Sequence, residues 1–215
     1  MARRASGEKE KEARRREILD LADRLLREKS YDEVKMADLA AELGLAKGTL
    51  YLCFPSKEAL FLALVSDRTE VALARVFEHL QGESGSITPG SVARETAEAL
   101  AEDIALPRLL ALVHALLEKN VPYEEALAFK RSLADFIRKA GRQLALVLPG
   151  LSEEGAQKFF LHLYAEITGL VQITDISPFM GRIAAEPGLE IFKLHFEDSL
   201  REAALILLEG LGCRP

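Results

Sequence analysis

Apolar residues return along this chain at three- and four-residue intervals, and no segment sustains the every-second-residue alternation of a half-buried strand. Ile18, Ala22, Leu25 and Leu26 follow the i, i+4, i+7, i+8 spacing of one helical stripe. After a break at Ser30-Tyr31-Asp32, Met36, Leu39, Ala40 and Leu43 predict a second, shorter helix. Gly44 ends it, because a tight helix-to-helix turn needs the left-handed conformation that glycine adopts without strain. A third short helix is expected from about Lys47 to Phe54. Pro55-Ser56 then punctuates, and Ser56 is placed to cap a long fourth helix that starts with Lys57-Glu58.

Gln81 to Ser86 is a polar linker rich in turn formers. Helices are expected beyond it at about 91–104, from Pro107 to Lys119 and from Pro122 to about Val147, with both prolines suited to a first turn. Pro149-Gly150 ends the last of these. Two more long helices follow at about 152–174 and 189–209, separated by a Pro/Gly-bearing loop near Ser177 to Gly188. The expected fold is all-α, with about nine helices, short connections and no internal repeat.

Composition narrows the class. Of 215 residues 49% are hydrophobic and 29% charged, the profile of a soluble globular protein. No apolar run reaches the roughly 18 residues of a membrane span, and Met1-Ala2-Arg3-Arg4 lacks the apolar stretch of a secretory signal. Cys53 and Cys213 do not make a disulfide framework, so the expected location is the cytoplasm. The formal net charge of −6 is unevenly spread. Residues 1–60 carry 13 Lys+Arg against 12 Asp+Glu, while the remaining residues carry 15 against 22. Arg3, Arg4, Lys9, Lys11 and Arg14 to Arg16 make the front locally positive. An acidic body is repelled by a phosphate backbone, so this polarity suits a protein that touches DNA with one end.

The informative stretch runs from Tyr31 to Leu60, YDEVKMADLAAELGLAKGTLYLCFPSKEAL. Two short helices joined by a tight glycine turn form the arrangement that projects a second helix into the major groove. That second helix carries Lys47, Gly48, Thr49 and Tyr51, which can approach phosphates and base edges. The stretch resembles the signature of the TetR family of bacterial regulators. Gly44, Leu45, Gly48, Thr49, Leu50, Tyr51, Phe54, Ser56, Lys57, Glu58 and Leu60 match it in register. Ile18, Leu19, Ala22, Leu26, Tyr31, Leu39 and Ala40 fall where the family has its first- and second-helix core, so the resemblance covers roughly residues 14 to 64.

The resemblance implies a DNA-binding domain over residues 1–55 and a helical ligand-binding and dimerisation domain over 56–215. It implies that Thr49 and Tyr51 contact DNA and that Lys57 meets a phosphate at the start of the fourth helix. A helix N-terminus already carries free N–H groups and partial positive charge, to which Lys57 adds a full one. Arg16, Lys35, Lys47 and Gly48 complete the candidate DNA contacts. The chain departs from the pattern in three places. Lys35 stands where the second helix usually has a capping Ser or Thr, and Ala46 where the recognition helix has its capping Ser. Cys53 stands where a phosphate-binding Tyr or His is common. Losing both caps costs about 1 kcal/mol each, which bears on affinity rather than on the fold.

The helix at 152–174 is apolar nearly all round, with Ala156, Phe159, Phe160, Leu163, Ile167, Leu170 and Val171 on one face and Leu161, Tyr164, Ala165 and Thr168 on another. The last helix ends in Ala203-Ala204-Leu205-Ile206-Leu207-Leu208. Such helices need cover on two sides, from one subunit's own core or from a second copy. The resemblance implies a homodimer through the last two helices. It also implies an effector pocket inside the body, for which His114, Tyr123, His162, Tyr164, Thr168 and Gln172 are candidates as polar residues among apolar neighbours. A cavity lined in that way suits a hydrophobic or amphipathic small molecule.

The function implied is a repressor that binds a palindromic operator as a homodimer and is released by a small-molecule effector. The alternative is a helical module for a ligand or a protein partner, with weakened DNA binding. An enzyme or metal bundle fits poorly. His114/Glu118 and His162/Glu166 each share a helix face at i, i+4, but four His on different faces make no organised site. No phosphate loop, nucleophile elbow or cysteine-based metal spacing is present, so no cofactor or metal is expected. A redox role for Cys53 beside Lys57 rests on one unpartnered thiol.

Overall fold

The computed structural model describes residues 2–82, 86–175 and 178–212; Cys213 lies outside them. Among the described residues it contains ten α-helices and no strand. They are α1 (Ala2–Glu28), α2 (Met36–Glu42), α3 (Lys47–Cys53), α4 (Lys57–Gly82), α5 (Pro89–Ala101), α6 (Ala105–Leu112), α7 (Tyr123–Val147), α8 (Glu153–Thr174), α9 (Pro178–Ala184) and α10 (Phe196–Gly210). The chain divides into two compact units, one of Met1–Asp67 with Leu112–Phe129 and the other of Arg68–Ala111 with Lys130–Pro215.

In the first unit, three residues of the predicted α1 stripe, Ile18, Ala22 and Leu25, join Leu39 and Ala40 of α2, Leu50 of α3 and Leu60, Phe61 and Leu64 of α4 in the core, while the fourth, Leu26, is half-buried. α2 ends as expected at Gly44, whose φ of 63° lets the Leu45 N–H return to the Ala40 carbonyl at 2.8 Å. Ser56 caps α4 by accepting from the Ala59 N–H at 3.0 Å. Tyr31 packs edge-on against Phe61, ring centroids 4.9 Å apart.

In the second unit, α10 packs against α5 and α8. Phe77 and Leu80 of α4, Val92 and Ala97 of α5, Leu144 and Leu148 around the end of α7, Phe159 and Leu163 of α8, and Leu200, Ala204 and Leu208 of α10 form one core. Gly141 of α7 admits α8 closely, since a Cβ there would stand 3.3 Å from the Gln157 backbone nitrogen. Arg68, buried on α4, pairs with Asp103, and Arg108 holds Asp175 through two bonds of 2.8 Å.

Three expected boundaries move. The helix expected at 91–104 begins at Pro89, because Thr88 caps it in a reciprocal box with Ser91. The helix expected from Pro107 to Lys119 begins at Ala105 and loosens into a π turn at Val113–Leu117 and a 3-10 turn at Glu118–Asn120. The loop expected near Ser177 to Gly188 contains α9, and α10 begins at Phe196 rather than at 189. No single helix among the described residues is long and apolar enough to cross a membrane. The bent pair α3 and α4 passes that test together, but its Leu50, Leu60, Phe61 and Leu64 are core residues.

Candidate nucleic-acid interface

α3 is anchored on one side only. Leu50 is its fully buried residue, and Thr49 and Cys53 are half-buried beside it. Lys47, Gly48, Tyr51 and Leu52 are exposed, Tyr51 by 47%. Burying Leu50 contributes about 2 kcal/mol to holding the helix down, and the face left outside carries Lys47, Gly48 and Tyr51 of the expected DNA contacts together with Leu52. Ala46 enters α3 with extended backbone and Lys35 enters α2 in the same way, and neither makes a side-chain cap. Both first turns therefore leave N–H groups for other partners. Lys35 and Lys47 are exposed, as is Gly48, with nothing within 4 Å of where its Cβ would stand.

Lys57 opens α4 but does not point freely outward. Its ammonium donates to the Tyr31 carbonyl and lies 3.9 Å from the centroid of the Tyr31 ring. Burial lowers its pKa against the raising influence of Asp32 and Glu58. Glu58 turns inward, accepting the Tyr31 hydroxyl at 3.1 Å. Arg16 is exposed and paired with Asp67 and with Asp20 at 3.1 Å, and the Asp67 hydrogen bond raises its pKa further. Lys57 and Arg16 thus each already hold an internal partner.

Sequence reading passed over Arg15. Its Nη1 donates to the Cys53 carbonyl at 3.2 Å and its guanidinium lies 4.2 Å from the Phe54 centroid, so α1 grips the last turn of α3. The only sequence signal was its place in the middle of three consecutive arginines, at the edge of the α1 stripe. It also passed over Glu95, buried on α5, which meets His79 Nδ1 at 2.8 Å and Arg94.

The six pocket candidates are divided between the two units. His114 is exposed and meets Glu118 at 3.1 Å, and Tyr123 is 75% exposed; both belong to the first unit. The other four lie on α8 in the second unit. His162 and Gln172 are exposed there, because α8 buries the opposite face. Tyr164 and Thr168 are half-buried, with Tyr164 donating to the Leu110 carbonyl at 3.3 Å and Thr168 to the Tyr164 carbonyl at 2.9 Å. Among the described residues no group of three or more His, Cys, Asp and Glu could hold a metal ion.

Comparison with known proteins agrees with this layout. Residues 18–64 match the family model for bacterial regulatory proteins of the tetR family, and residues 66–215 match that for a tetracyclin repressor-like C-terminal domain. Over 58 residues, 27% of this chain and 31% of the other, the chain is 41% identical to the HTH-type transcriptional repressor Rv1474c of Mycobacterium tuberculosis. It thus spans under a third of that relative's length. A TetR transcriptional regulator from Rhodococcus sp. RHA1 has a similar structure over 93% of this chain and 97% of its own, with a TM-score of 0.56 and 21% identity. The regulator FadR of Bacillus subtilis, solved in complex with stearoyl-CoA, is similar over 90% and 97%, with a TM-score of 0.51 and 18% identity. These last two are likenesses of fold. With an N-terminal helix-turn-helix model and a C-terminal model that together account for nearly the whole sequence from residue 18 onward, the chain belongs to the TetR family of helix-turn-helix transcriptional regulators.

Proposed function

We propose that this regulator is a cytoplasmic repressor that binds a palindromic operator as a homodimer and is released by a hydrophobic or amphipathic small molecule. The observation that carries the reading is α3, held by Leu50 and presenting Lys47, Gly48, Thr49 and Tyr51 at its open faces. In this reading residues 1–55 read DNA and residues 56–215 dimerise and bind the effector. Thr49 and Tyr51 meet base edges or phosphates, and Arg16, Lys35, Lys47 and Lys57 supply backbone contacts.

The homodimer is supported by α8 and α10. Leu161, Ala165, Gly169 and Ile173 are spaced four apart on α8 and all exposed, and Ile206 of α10 is 61% exposed. An apolar row three turns long left in water marks an interaction surface. A second copy covers it symmetrically and supplies the two heads that half-sites about 34–36 Å apart require. α4 is the lever of release, since one continuous helix contributes Lys57 to Asp67 to the first unit and Arg68 to Gly82 to the second. An effector lowers DNA affinity only as far as it prefers the released arrangement. In the body, Tyr164 and Thr168 are the two candidates half-buried enough to meet such a ligand. Stearoyl-CoA, the amphipathic ligand of the solved Bacillus subtilis regulator, is the first probe for release.

The missing caps on α2 and α3 favour a second reading, a ligand- or protein-binding body with a weak DNA reader. Replacing Tyr51 by Ala separates the two. In the first reading operator affinity falls at least tenfold. Unchanged affinity removes α3 as the reading element.

A further inference from the structure

Leu52 is an unexplained feature of α3. It is 80% exposed, on a helix whose anchoring residue is Leu50 and whose family signature runs through Thr49 and Tyr51. A helix turns about 100° per residue, so residues two before and two after Leu50 both stand about 160° from it. Those residues are Gly48 and Leu52. They lie side by side at the centre of the face directed away from the core, with Thr49 and Tyr51 about 100° from Leu50 on either flank. The observed exposures follow this arrangement: Leu50 is buried, Thr49 and Tyr51 are intermediate to moderately exposed, and Leu52 is the most exposed apolar side chain of the helix. At Gly48 the surface is open, with no atom within 4 Å of the missing Cβ. Leu52 therefore stands on the same open face as Gly48, one turn further along the helix, and leaves the Gly48 surface uncovered.

This juxtaposition has a chemical consequence, which rests on the reading of α3 as the DNA-reading helix. If α3 enters the major groove with its open face, the group nearest the groove floor is the isobutyl of Leu52 beside the bare backbone of Gly48. Leucine neither donates nor accepts a hydrogen bond. Set against guanine, cytosine or adenine, it would strip water from base-edge polar atoms without replacing the lost bonds. The one apolar group that a base presents in the major groove is the C5 methyl of thymine. We propose that Leu52 is a specificity-determining residue that packs against a thymine methyl in each half-site. Gly48 lets the helix backbone approach closely enough for that contact, while the flanking Thr49 and Tyr51 take the polar positions.

The test uses the full-length chain and duplexes that it selects from a random library. Each thymidine of the selected palindrome is replaced, symmetrically in both half-sites, by deoxyuridine, which removes the methyl and nothing else. Burying one methyl corresponds to about fourfold in affinity, so loss of the symmetric pair weakens binding about fifteenfold at one position and little elsewhere. Leu52→Ala binds the thymidine duplex less tightly and no longer distinguishes it from the deoxyuridine duplex, while its melting temperature stays that of the parent. Tyr51→Ala also binds less tightly but keeps the preference for thymidine. The proposal is overturned if no thymidine responds, or if Leu52→Ala retains the preference. Selection that yields no common sequence is a separate outcome, which removes the DNA-reading assignment of α3 and the Leu52 proposal with it.

Discussion

The Arg15 guanidinium lies 4.2 Å from the centre of the Phe54 ring while its Nη1 donates to the Cys53 carbonyl at 3.2 Å, tying the first helix to the end of the third. The last carbonyls of a helix have no partners within it, and a cation placed there satisfies one and offsets the partial negative charge. With Ala46 offering no cap at the other end, the C-terminal grip carries more of the positioning of α3.

Replacing Arg15 by Ala is expected to lower stability by about 2–4 kcal/mol, the sum of a ring contact and a charged hydrogen bond. Operator affinity should fall with it, because α3 loses its fixed angle. Lysine at 15 restores little, since it lacks the planar group that stacks and donates together. Urea unfolding and operator binding on the same variants check both parts.

Restoring the caps works in the opposite direction. Ala46→Ser and Lys35→Ser place a hydroxyl where the backbone is already extended and suited to capping. Each should raise stability by about 1 kcal/mol in urea unfolding. Their effects on binding differ. Lys35→Ser should reduce the slope of log affinity against log salt by about one per protomer, the signature of a lost phosphate contact, whereas Ala46→Ser leaves that slope unchanged.

Tyr31 couples stability to alkaline pH. Burial first, then the negative charge of Glu58 and its hydrogen bond, push the phenol well above its ordinary value near 10. The folded chain therefore keeps a proton that the unfolded chain has lost. The resulting stability is fully present below about pH 10 and is lost as pH rises from there through the displaced value. Tyr31→Phe removes the bond to Glu58, costing about 1 kcal/mol at neutral pH. It should also flatten the alkaline decline in melting temperature and delete one late step from the tyrosinate absorbance titration.

Ile206→Asp tests the exposed apolar face. A carboxylate there costs the monomer little, because the side chain is already mostly in water. In the proposed homodimer it would meet a desolvated apolar surface. Sedimentation should show a monomer at concentrations where the parent is a dimer, with unchanged helix content. Operator binding should fall by at least a hundredfold, as half-site binding replaces paired binding.

What could be read from the sequence follows the range of the forces involved. The Ile18-Ala22-Leu25 stripe, the Gly44 turn and the Ser56 cap are set by neighbours within a few residues, and all three appear where the pattern puts them. The Thr88-Ser91 box is equally local, but Pro89-Gly90 between them adds nothing to the apolar periodicity, and α5 starts two residues earlier than expected. α9 was hidden in the same way by the Pro and Gly residues of its segment. The π turn at Val113–Leu117 has no local signal, since VHALL is an ordinary helical stretch. Arg15 and Glu95 act across 38 and 16 residues of sequence, distances at which spacing carries no information. His162 and Gln172 show the same limit in the body. On a helix apolar nearly all round, periodicity does not say which face is covered within the subunit, and both residues lie on the exposed one.

The most direct measurement is an anisotropy titration of the chain against duplex DNA flanking its own gene, with salt varied and unrelated DNA as competitor. A specific operator reader gives tight binding that resists competitor, weakens steeply with salt and saturates at two protomers per palindrome. Weak binding that any DNA competes away, identical for the parent and Tyr51→Ala, would contradict α3 as a reader and leave the helical body as the seat of function.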